Sequence, residues 1–191
     1  MANPRSRSGD PEAVAGQLRS LGARVELFEV GDAERAAAAG CDRLAVAGGD
    51  GSIAPAAAAA GAAGVPLAVI PAGTANDFAR RMGLPSELAA ACRLAVQGER
   101  LRDMELGWMD ERPFVNVASA GLPGPAARRA KRWKKPLGPL AYAAGGLAGG
   151  ATASAVRVQV ECEGDALFDG EAWQVTVAAS GAFGAGSRIA E

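Results

Sequence analysis

Two short apolar runs, DRLAVAG at 42–48 and PLAVIPAG at 66–73, each ending in glycine, constrain this chain more than any other feature. A strand that is apolar on both faces must be covered on both faces, which is the situation of a parallel sheet flanked by helices. The stretch between the two runs supplies such a cover. Ser52 is placed to cap an alanine-rich helix reaching to about residue 63, with Pro55 accommodated in its first turn. Upstream, Asp10 followed by Pro11 reads as an N-cap with proline at the first helical position. Val14, Leu18 and Leu21 then recur at helical spacing until Gly22. Residues 24–30 (RVELFEV) read as a strand, 31–40 as a helix ending at glycine, and 75–82 and 86–97 as two further helices. The alternation is that of βαβ units, so the first half is expected to be an α/β domain with a Rossmann-like three-layer arrangement.

After about residue 98 the pattern changes. ERLRDMELGWM and PFVNVASAG, separated by a tight turn at 110–112, read as a hairpin, and AVRVQVECEG (155–164) and EAWQVTVAAS (171–180) alternate as half-buried antiparallel strands do. The expected organisation is an α/β domain over 1–102 and a β-rich domain over 103–191.

Composition narrows the chemistry. The 191 residues contain no histidine, which removes Ser-His-Asp and Cys-His nucleophilic sites and nearly all the usual catalytic zinc sites. Cysteines at 41, 92 and 162 are odd in number and widely spaced, so neither a disulfide framework nor a metal knuckle is indicated, and a reducing cytoplasm fits them best. A net charge of -1 argues against a nucleic-acid partner, and no apolar run reaches the roughly 18 to 20 residues that span a bilayer. The charge is nevertheless uneven. Arg128, Arg129, Lys131, Arg132, Lys134 and Lys135 surround Trp133 and include every lysine of the chain. Such a cluster is either a solvated face or an approach to an anionic membrane, where each basic side chain contributes about 1 kcal/mol.

The strand ends carry the remaining chemistry, because ligands of parallel sheets bind at the carboxyl edge. Gly48-Gly49-Asp50-Gly51-Ser52 joins a strand to a helix. Its glycines allow close backbone approach, and the free amides of the helix start attract an anion. The alternative is a tight turn that uses glycine for packing. The chain has no GxxxxGK[ST], and no GxGxxG follows an expected strand. The second loop, PAGTANDFAR at 71–80, adds Gly73, Thr74, Asn76 and Asp77 at a neighbouring strand end. Thr74 or Asn76 can cap the following helix, and Phe78 is expected in the core.

Taken in order, NPRSRSG at 3–9, GGDGS at 48–52, PAGTANDFAR at 71–80 and FVNVASAG at 114–121 resemble the diacylglycerol kinase catalytic-domain family, in particular the bacterial YegS-like lipid kinases. The resemblance implies ATP bound between an α/β domain and a β-sandwich domain, with magnesium as the accompanying ion. Carried over by position, Gly48, Gly49, Asp50, Gly51, Ser52, Ile53 and Ala54 would hold the ATP phosphates, and Gly73, Thr74, Asn76 and Asp77 would add nucleotide contacts. Asn3 and Pro4 correspond to the family's NPxSG element, with two extra residues before Ser8 and Gly9. Ser52 stands where threonine is more usual, a mild change because its hydroxyl can still donate.

The reaction implied is direct phosphoryl transfer from ATP to a lipid hydroxyl, with a carboxylate as base. The lipid would be met at the inner membrane face through the basic cluster, and a homodimer is compatible with the family. Two departures lead to the expectation of truncation at both ends. Only Met1 and Ala2 precede Asn3, where the family has a full apolar strand, and GAFGAGSRIAE at 181–191 stops short of the family's DG stretch and catalytic acid. The base is therefore expected beyond Glu191. A kinase of a soluble acceptor such as NAD or a sugar phosphate, and a non-catalytic nucleotide-binding remnant, remain the competing readings.

Overall fold

The computed structural model describes residues 10–121 and 155–179, together with two short strands at 182–183 and 187–188. Helix α1 (Pro11–Ser20) starts as its sequence predicts: Asp10 is the N-cap, its carboxylate accepts from the Glu12 amide at 3.1 Å, and Pro11 opens the helix. A 3-10 turn at Val30–Asp32 leads into the short α2 (Ala33–Ala37). Strand β1 (Leu44–Gly48), helix α3 (Asp50–Ala63) and strand β2 (Leu67–Pro71) form a βαβ unit whose strands run parallel, Leu44 opposite Leu67 and Gly48 opposite Pro71. Helices α4 (Asp77–Arg81) and α5 (Leu88–Gln97) follow.

Strand geometry alternates side chains between faces, and the core divides accordingly. Leu44, Val46, Leu67 and Val69 pack with Ala36, Ile53, Ala56, Ala60 and Phe78, on the side of α2 and α3. Ala45, Ala47, Ala68 and Ile70 pack with Val14, Leu18, Ala91, Cys92 and Ala95, on the side of α1 and α5. Helices therefore cover both faces of the β1–β2 pair, as the two apolar runs require. Ile53, Ile70, Val46 and Cys92 are the largest fully buried side chains. Burying each aliphatic one contributes about 1.5–3 kcal/mol. Burial raises the Cys92 thiol above its ordinary pKa, and nearby Glu87 adds to the shift.

Three expectations need correction in this half. Residues 24–28 are in no strand, and only Glu29 makes an isolated bridge. A strand exists only where a neighbour takes up its backbone groups, and apolar alternation cannot supply that neighbour. Helix α3 begins at Asp50 with Gly49 as N-cap, so Ser52 is not the cap and Pro55 lies inside the helix beyond the first turn. The helix expected at 75–82 is cut to five residues, because Asn76 adopts a left-handed φ of 50° and starts it late.

The described residues cluster into two compact units, one drawn from Met1–Val117 with Ala178–Glu191 and the other from Ala118–Val177. In the first, β3 (Gly107–Met109) and β4 (Arg112–Phe114) make a short antiparallel hairpin. Residues 100–106 lie outside it. The following strand β5 (Val117–Gly121) does not extend that hairpin but pairs with β8 (Gln174–Ala178).

Strands β6 (Val156–Cys162) and β7 (Asp165–Ala172) form a second antiparallel hairpin. Glu163 and Gly164, both at positive φ (53° and 92°), turn it, as two-residue hairpin loops require. The single strand expected over 171–180 is thus split at Trp173. The first part of β7 carries little strand signal, because Asp165, Asp169 and Gly170 have low strand propensity. The turn and the cross-strand Arg157–Asp169 ion pair at 2.8 Å bring it into register. Strands β9 (Ala182–Phe183) and β10 (Ser187–Arg188) pair with each other.

Candidate functional site

Both glycine loops leave the carboxyl ends of β1 and β2, and the parallel register sets them side by side. They meet backbone to backbone. A Cβ built on Gly73 would lie 2.5 Å from the Gly49 Cα and 2.8 Å from the Asn76 Oδ1, and one on Gly49 would lie 3.1 Å from the Gly73 Cα. Glycine at 49 and 73 is therefore accounted for by the crossing of the loops. At Gly48 an added Cβ would fall 2.7 Å from the Ser52 Oγ, because that side chain is buried under the strand end. The Ser52 amide donates to the Gly49 carbonyl at 2.9 Å. Ile53 and Ala54 face the core, and Thr74 is exposed.

Asn76 closes its own loop, accepting from the Gly73 amide and donating to the Gly73 carbonyl, both at 2.9 Å. It therefore provides no side-chain cap for α4. Asp50 of the other loop takes that role. Its carboxylate accepts from the Asp77 amide at 3.1 Å and the Phe78 amide at 2.8 Å, and from the Asn116 Nδ2 at 3.1 Å. An anion at a helix start satisfies amides that have no partner within the helix. One carboxylate thus joins α3, α4 and the segment before β5. The role of Asn116 was not foreseen. Its signal was available in FVNVASAG, where an amide interrupts an otherwise small and apolar strand.

Gly51 differs from Gly48, Gly49 and Gly73, the other glycines of the two loops. It is exposed, a Cβ there would meet nothing within 4 Å, and no positive φ requires glycine. Neither packing nor backbone conformation gives a reason for it. The amides of Asp50 and Gly51 meet no acceptor among the described residues. Pro55, four residues on, has no N–H to return to the Gly51 carbonyl. The start of α3 accordingly presents uncovered backbone donors beside open space, an arrangement suited to an anion.

Metal binding fits less well. Asp50 is turned to the α4 amides, and the Asp77 carboxylate holds the Arg80 guanidinium at 3.0 Å. Among the described residues no three carboxylates or thiols gather into a metal-sized group. These residues do not make a magnesium site. Asn3 and Pro4, and the cluster of Arg128, Arg129, Lys131, Arg132, Trp133, Lys134 and Lys135, lie outside the described residues. Among the described residues no helix is long and apolar enough to cross a membrane.

Comparison with known proteins gives the family. The diacylglycerol kinase catalytic domain model matches residues 2–109, more than half of the chain. The chain belongs to that family. It is 41% identical over 145 residues to a Pseudomonas aeruginosa protein named "Probable lipid kinase YegS-like", covering 71% of this chain and 47% of the relative. It is 36% identical over 146 residues to a diacylglycerol kinase of Staphylococcus epidermidis, covering 74% and 45%. The crystal structure of a diacylglycerol kinase from Bacillus anthracis str. Sterne superposes with a TM-score of 0.68 at 25% identity, covering 96% of this chain and 64% of that one. The chain thus spans about half the length of the curated relatives it matches.

Proposed function

We propose that this chain is part of an ATP-dependent lipid kinase that transfers the γ-phosphate to the hydroxyl of diacylglycerol or a related lipid. In this reading residues 1–102 are the Rossmann-like nucleotide-binding domain and 103–191 belong to a β-sandwich domain for the lipid. The phosphates of ATP sit on the Asp50 and Gly51 amides at the start of α3, and Thr74 and the rest of its loop line the nucleotide's other side. The lipid oxygen attacks the γ-phosphorus as the bond to the β–γ bridging oxygen breaks, ADP leaves, and the hydroxyl proton passes to a carboxylate. Such a transfer depends mainly on positioning and charge neutralisation. Asp50 and Asp77 are engaged with α4 amides and Arg80, so neither serves as that base. Magnesium would have to be held by residues other than these. The basic cluster around Trp133 is the membrane approach, at the cytoplasmic face.

The observation that carries this reading is Gly51, a glycine without a packing role beside uncovered amides. Gly51→Ala separates function from structure. The substitution should leave the melting temperature unchanged or raise it slightly, while ATP affinity measured by calorimetry falls about tenfold or more as the methyl group meets the phosphates. Unchanged affinity would return the loop to a structural turn. Phosphate transfer compared among diacylglycerol micelles, NAD and fructose 6-phosphate tests the acceptor, and turnover only with a soluble acceptor would overturn the lipid assignment.

A further inference from the structure

Asn116 stands outside both glycine loops, yet its side chain reaches the carboxylate on which both depend. The Asp50 Oδ1 accepts from the Phe78 amide and from the Asn116 Nδ2, while Oδ2 accepts from the Asp77 amide. Asn116 is itself held in place, since its carbonyl accepts from the Ala179 amide at 2.9 Å. We propose that Asn116 is a positioning residue of the nucleotide site: it holds the Asp50 carboxylate turned toward α4 and thereby keeps that negative charge away from the α3 amides. The inference rests on the reading of those amides as the phosphate position.

Asp50 is the first residue of α3, so its carboxylate has two sets of amides within reach of a side-chain rotation. Directed at the start of α4, it satisfies the Asp77 and Phe78 amides. Directed at its own helix start, it would occupy the donors that an incoming phosphate needs and would repel the phosphate charge. The α4 amides favour the first orientation, and the Asn116 amide adds a third hydrogen bond to it. A hydrogen bond to a charged acceptor is among the stronger ones, and its loss shifts such an equilibrium by about tenfold or more. This assigns a function to a polar side chain in the bend between β4 and β5.

The test is a double-mutant cycle on the full chain with ATP as the probe, together with amide hydrogen exchange in the absence of nucleotide. Asn116→Ala should weaken ATP binding about tenfold and speed exchange at Asp77 and Phe78, with exchange in β1 and β2 unchanged. In an Asp50→Asn background the same substitution should have almost no further effect on affinity, because its influence passes through the carboxylate. Additive losses, or unaltered exchange at Asp77 and Phe78, would overturn the proposal. If Asp50→Asn does not fold, the exchange data from Asn116→Ala decide alone. If the unmodified chain binds no ATP while Asp77 and Phe78 still lose protection, it is the nucleotide reading that fails; Asn116 then still positions Asp50.

Discussion

The βαβ unit with its loops and the β6–β7 hairpin achieve order by different means. In the first, buried residues run from Val14 to Val115 and fill both faces of a strand pair. In the second, none of the described residues is buried, and Val156, Leu167, Phe168 and Trp173 are exposed. The hairpin keeps its register through backbone pairing, a turn with two positive φ angles and an ion pair. Where a core surrounds the strands, the loops at their ends inherit fixed positions, so Gly49 and Gly73 can touch and Asp50 can cap a distant helix. Chemistry that requires placement to fractions of an ångström belongs on the first kind of structure.

The largest expected effect contrasts the two regions directly. Ile70→Ala, at a site with no exposure, should destabilise the chain by about 2–5 kcal/mol in chemical denaturation. Phe168→Ala on the hairpin, where the residue is 45% exposed, should cost under about 1 kcal/mol. Equal losses would remove the contrast. Next in size, Gly73→Ala forces a methyl group against the Gly49 backbone and should cost about 1–3 kcal/mol while also weakening ATP binding. A neutral result in both measurements would show that the loops are not locked together.

The smallest effect concerns the start of α5. The Glu87 carboxylate accepts from the Ala89 amide at 2.8 Å and the Ala90 amide at 2.7 Å, which holds its pKa below the ordinary 4.5. A lowered folded-state pKa stabilises the fold above the unfolded value, and the contribution disappears as pH falls through the folded value. Glu87→Gln should therefore lower the melting temperature slightly at neutral pH, with the difference closing in acid. A gap that persists at low pH would mean that the charge contributes nothing.

The βαβ unit was legible from residue order because its signals are local. Two apolar runs, an N-cap at Asp10 with Pro11 after it, and glycine-bearing strand ends each state a conformational requirement within a few residues. The second half was less legible. The partner of β5 lies more than fifty residues away in β8, and the charged β7 is brought into a sheet by its turn and register. The same limit applied at the site. The sequence located Asp50 in a loop, but not that it would cap α4 in place of Asn76, nor that Asn116 would reach it.

The amino-acid sequence by itself thus determined the alternation of strand and helix, the glycine loops at the strand ends and the family those loops mark, since each is written in adjacent residues. Only the tertiary structure decided that, within the two loops, Gly48, Gly49 and Gly73 serve packing while Gly51 lies open. It also decided where the Asp50 carboxylate turns. Both depend on strands and helices distant along the chain, which set the Gly49 and Gly73 backbones against each other and bring the Phe78 amide to 2.8 Å from the Asp50 carboxylate.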